Sequence, residues 1–561
     1  MKRQTMKIYL IHRQIVLSGL IVLTFFVQIS FSTSIEQMFV HTKAISLGNA
    51  VTAYPPGLMS IHYNPAGLSQ VREGIVFSQG FSMVHHKTSH HFIPDPHFSL
   101  QGNKFSATDD PVANTESDSE DHRLYIPFYG KGDFPVLMMP LPFGISSRQF
   151  GSRWTFAYAV YSPFIWGEET EDNGGARYQK KAAYLQHFVY AAPAASYQVS
   201  DHFSVGLSLG LGQSALGLVT DIRMPNELTA AFSEMNYHSQ TGQSLVYKSD
   251  VGAFDHFASL DLSMRSKNEM APSFNVGFLW EPLSWLAFGC VYQSPVRSDL
   301  EGHFQIEYEN QFQTTIQFIN RTPEVRNMIA NYVKDPARLP QMLAALDKTS
   351  ESGTVMIDDF SFPERCQIGI KLRPFKKLRL MCDFHWANWL TTKSYTMQFK
   401  PSDQSTLAVL QLADILGNQL DPNNPNTLIY KKELNPTWHI SVGLEYQIKE
   451  FLALRMGYEN RKSNTDDQYF DLLTMPDMDY YCAGLGLKLK QGVELDLGIG
   501  YMVNAGSVID NGISQNLNQV QSPIYSPFAG QGCETTFEAY FLSMNLTMPF
   551  ETMYQKLDQV F

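Results

Sequence analysis

The sequence predicts an all-β fold: a transmembrane antiparallel β-barrel of about fourteen strands. Three observations carry that prediction. First, an apolar stretch from Ile15 to Phe31 follows the basic residues Lys2, Arg3, Lys7 and Arg13. It leads into Ser30, Ser32 and Ser34, the layout of a secretory signal peptide cut near Ser32. Second, no later run is long enough to cross a bilayer as a helix. Third, the rest of the chain is built of runs in which apolar and polar residues alternate, joined in turn by very short and very long connections. A barrel with tight periplasmic turns and long outer loops requires that rhythm.

Taken in order, residues 1–32 are expected to be the signal peptide, 33–73 a compact piece before the first strand, 74–550 the barrel and 551–561 a periplasmic tail. Fourteen alternating runs lie near 74–86, 135–145, 152–165, 183–199, 202–222, 271–281, 285–309, 354–372, 378–400, 437–448, 451–461, 478–489, 492–509 and 533–550. The even count returns the chain to its starting side. The period is plain in Tyr540, Leu542, Met544, Leu546, Met548 and Phe550, which alternate with Ser543, Asn545 and Thr547. It recurs where Phe203, Val205, Leu207, Leu209 and Leu211 alternate with serine and glycine. In a barrel the apolar set faces lipid and the small or polar set faces the lumen. A soluble sandwich would bury the same apolar set in a core, but it does not require the alternation of short and long connections. Three connections carry helical patterns: Glu227 to Met235, Glu324 to Asp347 and Thr406 to Leu420. These helices either form an apolar groove at the outer rim or pack together and cap the barrel.

Composition agrees. Mean hydropathy is −0.19, too low for a helical membrane protein and compatible with a barrel whose polar lumen dilutes its apolar face. Aromatic residues make up 13%, enough for the interfacial girdles a barrel needs. A net charge of −12 argues against nucleic acid as a partner. The cysteines number five and include no CxxC pair, which argues against a disulfide framework and leaves one bridge open. By strand parity Cys366 and Cys382 fall on apolar faces and Cys482 on the opposite face. No HExxH, GxSxG or ordered Ser-His-Asp set appears, so no enzyme activity, metal or other cofactor is expected. The histidines His85, His86, His90, His91 and His97 crowd the first outer loop. That density suits Zn²⁺ or Cu²⁺, but no carboxylate or cysteine spacing accompanies it.

Residues 33–73 hold Leu47-Gly-Asn-Ala50, Pro55-Pro-Gly57 and Ile61-His-Tyr-Asn-Pro-Ala-Gly-Leu68. Glycine and proline disfavour regular elements there, while the apolar residues disfavour disorder. A piece folded inside the lumen, plugging it, satisfies both. The pair Ser46-Leu-Gly-Asn-Ala50 and Tyr63-Asn-Pro-Ala-Gly-Leu68 resembles the N-terminal hatch of the FadL/TodX family (OmpP1) of outer-membrane transporters of hydrophobic compounds. Ala194 to Val199 with His202 to Leu207, Leu454 to Asn460, Pro476 to Asp479 and Val493 to Tyr501 are similar to the family's hairpins. The likeness covers most of the mature chain.

The resemblance implies a fourteen-stranded barrel in the outer membrane, plugged by the hatch, with a kink in the third strand that opens the wall. It implies passive uptake of long-chain fatty acids, alkanes or aromatic hydrocarbons, with exit sideways into outer-membrane lipid, by a protein expected to be a monomer. A dry apolar pocket would hold such cargo by burial, at about 25 cal/mol per Å² of apolar area. Asn64, Pro65 and Ala66 would lie at the inner end of that pocket. Pro163 stands where the family's kink carries glycine. It would border the exit, since proline donates no ladder hydrogen bond; alternatively it ends the strand. Phe232 and Met235, with the rim helices, would make first contact. Arg223 would correspond to a headgroup ligand in the family. By parity Arg455 and Lys488 also face the lumen, where they either meet a cargo carboxylate or pair with Glu445, Glu459, Glu494 and Asp496. The rival reading of the same barrel is a general porin or a surface-exposed binding protein.

Overall fold

The computed structural model describes residues 40–121, 142–227, 252–330, 346–391, 394–415, 423–519 and 526–557, with short stretches between them. The expected signal peptide, Phe232, Met235 and most of 331–345 lie outside the described residues.

Fourteen antiparallel strands close into a barrel. They are β1 (Gly74–Pro94), β2 (in pieces, ending at Phe143–Arg148), β3 (Trp154–Thr170), β4 (Ala182–Ser200) and β5 (Phe203–Arg223). Next come β6 (His256–Ser266 and Ala271–Leu283), β7 (Leu286–Gln293 and Val296–Tyr308), β8 (Ser350–Phe362 and Glu364–Phe375) and β9 (Leu378–Asn388 and Ser394–Pro401). The last are β10 (Thr427–Lys431 and Thr437–Lys449), β11 (Leu452–Arg461), β12 (Met478–Lys488), β13 (Glu494–Val503 and Ser507–Ile509) and β14 (Gln531–Pro549). Closure is made by β1 against β14, in register from Val76 opposite Pro549 to Pro94 opposite Gln531.

Parity sorts the two faces as expected. On β14, Leu542 and Met544 are 54% and 45% exposed, whereas Ser543 and Asn545 are 2% and 1% exposed. Ser543 and Asn545 bond inward, to Thr42 and to Ser78. Large apolar side chains on an exposed belt, with polar ones turned in, invert the order of a soluble sandwich. Trp154, Trp280, Trp285, Phe375 and Phe451 are exposed near the short turns and supply an aromatic girdle. Cys366 and Cys382 sit on the outer face, and Cys482 is luminal, accepting the Gly48 N–H at 3.1 Å.

Two expectations need correction. The strands run further beyond the membrane than the alternation at their centres suggested. His256–Ser266 and Thr427–Lys431 lie in segments read as loops, and β1 carries His85, His86, His90 and His91 as ladder residues, with only His97 of the crowded histidines in the connection beyond. The first of these had a legible period, since Ala258, Leu260, Leu262 and Met264 point one way. In addition, Asn310–Arg321 is a helix that the sequence reading missed. Its Phe312, Thr315, Ile316 and Ile319 are buried along one face. Helices Pro323–Ala330 and Ala408–Ile415 lie where helical patterns were read. A further helix, Phe550–Leu557, follows the last strand, and its Thr552 hydroxyl donates to the Gln491 carbonyl at 3.1 Å.

Residues 40–71 fill the lumen. Two helical turns, Thr42–Ile45 and Ser60–Tyr63, and two 3₁₀ turns are joined by tight bends. Leu47, Val51, Leu58, Ile61 and Leu68 are fully buried, and the group they belong to packs on Ala159 and Tyr161 of β3 and on Val189 and Ala192 of β4. Backbone meets backbone at the wall: a Cβ on Gly206 would collide with Pro65 and Ala66, and one on Gly457 with Leu47 and Gly48. Only glycine permits that approach. Polar groups complete the seat. The Asn49 amide donates to Glu459 at 2.8 Å, the Thr52 N–H to Asp383 at 2.6 Å, and the Ser208 and Gln293 side chains to the carbonyls of Ile61 and His62 at 2.8 and 2.7 Å.

Two tests follow from these contacts. Leu542→Arg places a charge on the lipid face and should cost about 2–4 kcal/mol near mid-membrane, read as a lowered urea midpoint in vesicles. The second concerns acid. Burial lowers the pKa of His41 to about 4 and of His62 to about 3. Neutral His41 accepts the Lys43 N–H at 3.0 Å, capping the first helical turn. The unseated segment binds more protons between its ordinary pKa of about 6.5 and these values. The seat is therefore fully stable above pH 6.5 and weakens as pH falls toward 4. Protease access to residues 40–71 should rise between pH 7.5 and 4.5, and His41→Asn, which caps without titrating, should shrink that rise.

Candidate functional site: a luminal cavity beside a bulge in the wall

β3 changes frame at Pro163. His187 of β4 lies opposite Phe164, but two residues later Val189 lies opposite Tyr161, so β3 carries one extra residue at Ser162 and Pro163. Below the bulge Thr155, Ala159 and Tyr161 are buried inward while Phe156 and Tyr158 are exposed. Above it every residue from Phe164 to Glu168 is buried, and Phe164 and Trp166 point inward. One inserted residue exchanges the faces of a strand. β4 compensates near Tyr190 and Ala191, where its register against β3 and β5 also slips. The Ser162 hydroxyl donates to the His187 carbonyl at 2.6 Å. On the other side, among the described residues, β3 pairs with β2 only over Phe156–Val160 and Glu169–Thr170. Among the described residues, Tyr161–Glu168 thus has no ladder partner on β2, next to the plug, where the His62 and Tyr161 rings stand 5.1 Å apart.

The frame change points Phe164 and Trp166 into a cavity of about 280 Å³ above the plug, near the lower end of small-molecule sites. Leu185 of β4, Leu216, Leu218 and Ile222 of β5, Leu260 and Leu262 of β6, and Met397 and Phe399 of β9 line it. Trp389, Leu407 and Leu410 also line it. Its charged groups are few. Arg223, at the end of β5, is wholly buried and holds Asp110 through two N–H groups at 2.8 and 3.0 Å. Its Nε–H donates to the Pro527 carbonyl at 2.7 Å, and its plane lies 4.1 Å over the Tyr178 ring. Lys432 is 2.6 Å from Asp471, which also accepts from Tyr430. Asp221 faces Arg177 at 3.3 Å and Lys181 at 3.8 Å.

Of the residues singled out from sequence, Arg223 lines this cavity, and Pro163 sits in the bulge below Phe164. Asn64, Pro65 and Ala66 lie lower, in the seat of the plug. The Asn64 amide donates to the carbonyls of Thr52 and Phe278 at 2.8 and 3.0 Å, and its Oδ1 accepts the Ala66 N–H at 3.2 Å. Arg455 is luminal but beneath the plug, paired with Glu445 at 2.8 Å and Asp496 at 2.5 Å. Lys488 is exposed beside Glu494. His85 bonds Asp121 at 2.8 Å. His90 meets Lys180, which is 2.5 Å from the buried Glu168. Among the described residues no group of three metal-binding side chains converges. The sequence reading missed Phe164, Trp166, Asp110, Lys432 and Asp471. The aromatic pair was visible immediately after Pro163. The carboxylates carried no local signal, because Asp110 and Asp471 come from other connections.

The family model for outer membrane protein transport proteins (OMPP1/FadL/TodX) matches residues 35–550. Solved structures agree on the fold. The chain is similar to a Pseudomonas aeruginosa FadL homologue, at 14% identity and a TM-score of 0.61 over 93% of this chain and 100% of that one. It is also similar to the Ralstonia pickettii toluene transporter TbuX, at 14% identity and 0.55 over 92% and 99%. The Pseudomonas putida toluene transporter TodX follows at 13% identity and 0.55, over 90% and 97%. No curated protein matches. With the family model spanning nearly the whole barrel and its plug, the chain belongs to the FadL/TodX family of outer-membrane transport proteins.

Proposed function

We propose that this protein takes up hydrophobic small molecules passively, holding them in the cavity above the plug and releasing them sideways through the wall at Pro163. The candidate cargoes are fatty acids, alkanes and aromatic hydrocarbons, which share an apolar body. The observation that carries this reading is the adjacency of the two features: the residue that shifts the frame of β3 is the neighbour of Phe164, which lines the cavity. Cargo leaving between β3 and β2 would pass from apolar side chains to acyl chains without crossing water. Arrival from outside is favoured by burial of apolar area. Release requires that the cavity change shape, and the plug is the movable part, since it is held to the wall by hydrogen bonds and packing.

The test is uptake of a radiolabelled alkylbenzene and a radiolabelled long-chain fatty acid by cells lacking their own transporter. The wild type should raise uptake of at least one. Pro163→Val supplies an N–H that can join the ladder, and it should lower that uptake several-fold at equal surface expression. Unchanged uptake in the variant would remove the lateral exit. Entry of small polar solutes in place of both ligands would make the protein a porin.

A further inference from the structure

We infer that the cavity accepts uncharged hydrophobic molecules and rejects the matching carboxylates, because, among the described residues, every cation at its wall is already committed to a buried carboxylate of the protein. The inference rests on the reading of this cavity as the cargo site. Arg223 is the cation best placed to meet an acidic headgroup, yet Asp110 occupies it in bidentate fashion. Asp110 is not a loose occupant: its Oδ1 also accepts the Val112 N–H at 3.0 Å. Lys432 is committed in the same way. Its partner Asp471 is fixed by the Leu473 N–H at 2.9 Å and the Thr474 hydroxyl at 2.8 Å. The third charged group at the wall, Asp221, is an acid held from behind by Arg177 and Lys181, neither of which lines the cavity.

A carboxylate entering this site would bring one more negative charge to a wall whose charges are already paired. It would lose its hydration and gain no unshared cation, and an unpaired charge away from water is strongly disfavoured. To reach Arg223 it would have to displace Asp110, leaving that carboxylate buried instead. A hydrocarbon, or a molecule with a neutral polar end, meets none of these costs and keeps the whole gain of burial. Asp110 and Asp471 are thus specificity-determining residues, which act by filling the places an anion would take.

The experiment uses the full chain in lipid nanodiscs at pH 8 and two probes with one apolar body, 4-butylbenzyl alcohol and 4-butylbenzoate, with binding read by equilibrium dialysis. The alcohol should bind at least tenfold more tightly than the benzoate. In Asp110→Asn and, separately, Asp471→Asn, benzoate affinity should rise at least fivefold while alcohol affinity stays within twofold. A gain of binding does not arise from misfolding, and the wild-type ratio stands even if one variant fails to fold. Equal binding of both probes by the wild type would overturn the selectivity and leave the cargo site standing. So would a folded pair of variants with no gain for the benzoate. Binding of neither probe would overturn the cargo site itself, and the inference with it.

Discussion

A backbone amide or carbonyl facing hydrocarbon has no water to fall back on, so the protein must supply its partner. The rest of this structure depends on that constraint. It forces the sheet to close on itself, β1 against β14, and it makes any gap in the ladder costly. A lateral passage is therefore confined to a place where the ladder can be broken without leaving donors exposed. Proline has no N–H to strand, and Ser162 covers the His187 carbonyl that the bulge frees. The bulge sits where the sequence lowers its cost.

The lumen works under the opposite condition. There the wall carries glycine, serine and charged residues, and the plug matches them with its own backbone. Apolar side chains of the plug gather against alanines of β3 and β4, while its amides and carbonyls reach Glu459, Asp383, Ser208 and Gln293. The plug has almost no regular structure of its own, so the wall provides the partners that a helix or sheet would otherwise provide. The luminal charges are shared out in the same spirit, with Arg455 held between Glu445 and Asp496 and Arg223 against Asp110.

How much of this is written in the sequence depends on the range of the interaction. Face parity follows from a period of two, so the lipid belt, the orientation of Cys366, Cys382 and Cys482 and the number of strands were all legible. Pro163 was legible as a departure because proline carries a specific meaning inside a strand. The extensions of the strands beyond the membrane were harder, since both faces become polar or mixed there and the alternation loses contrast. The helix Asn310–Arg321 was masked by threonine and isoleucine, which read as strand formers although Phe312, Ile316 and Ile319 share a helical face. The partner of Arg223 could not be read at all, and for Arg455 parity offered four carboxylates without choosing Glu445 and Asp496 among them. Asp110 lies 113 residues from Arg223 along the chain and Asp496 lies 41 from Arg455; only the closed barrel brings them together.

The seating of the plug has a consequence for the order of events in folding. Thr42 meets Ser543 across 501 residues of chain, and Asn49 meets Glu459 across 410. Contacts of such separation form only after the intervening chain has been arranged. The partners of residues 40–71 are spread over strands from β3 to β14, so the surface that receives this segment does not exist until the last strand has joined the first. The part of the mature chain made earliest is accordingly among the last to find its place, and barrel closure must finish before the pore can be stopped.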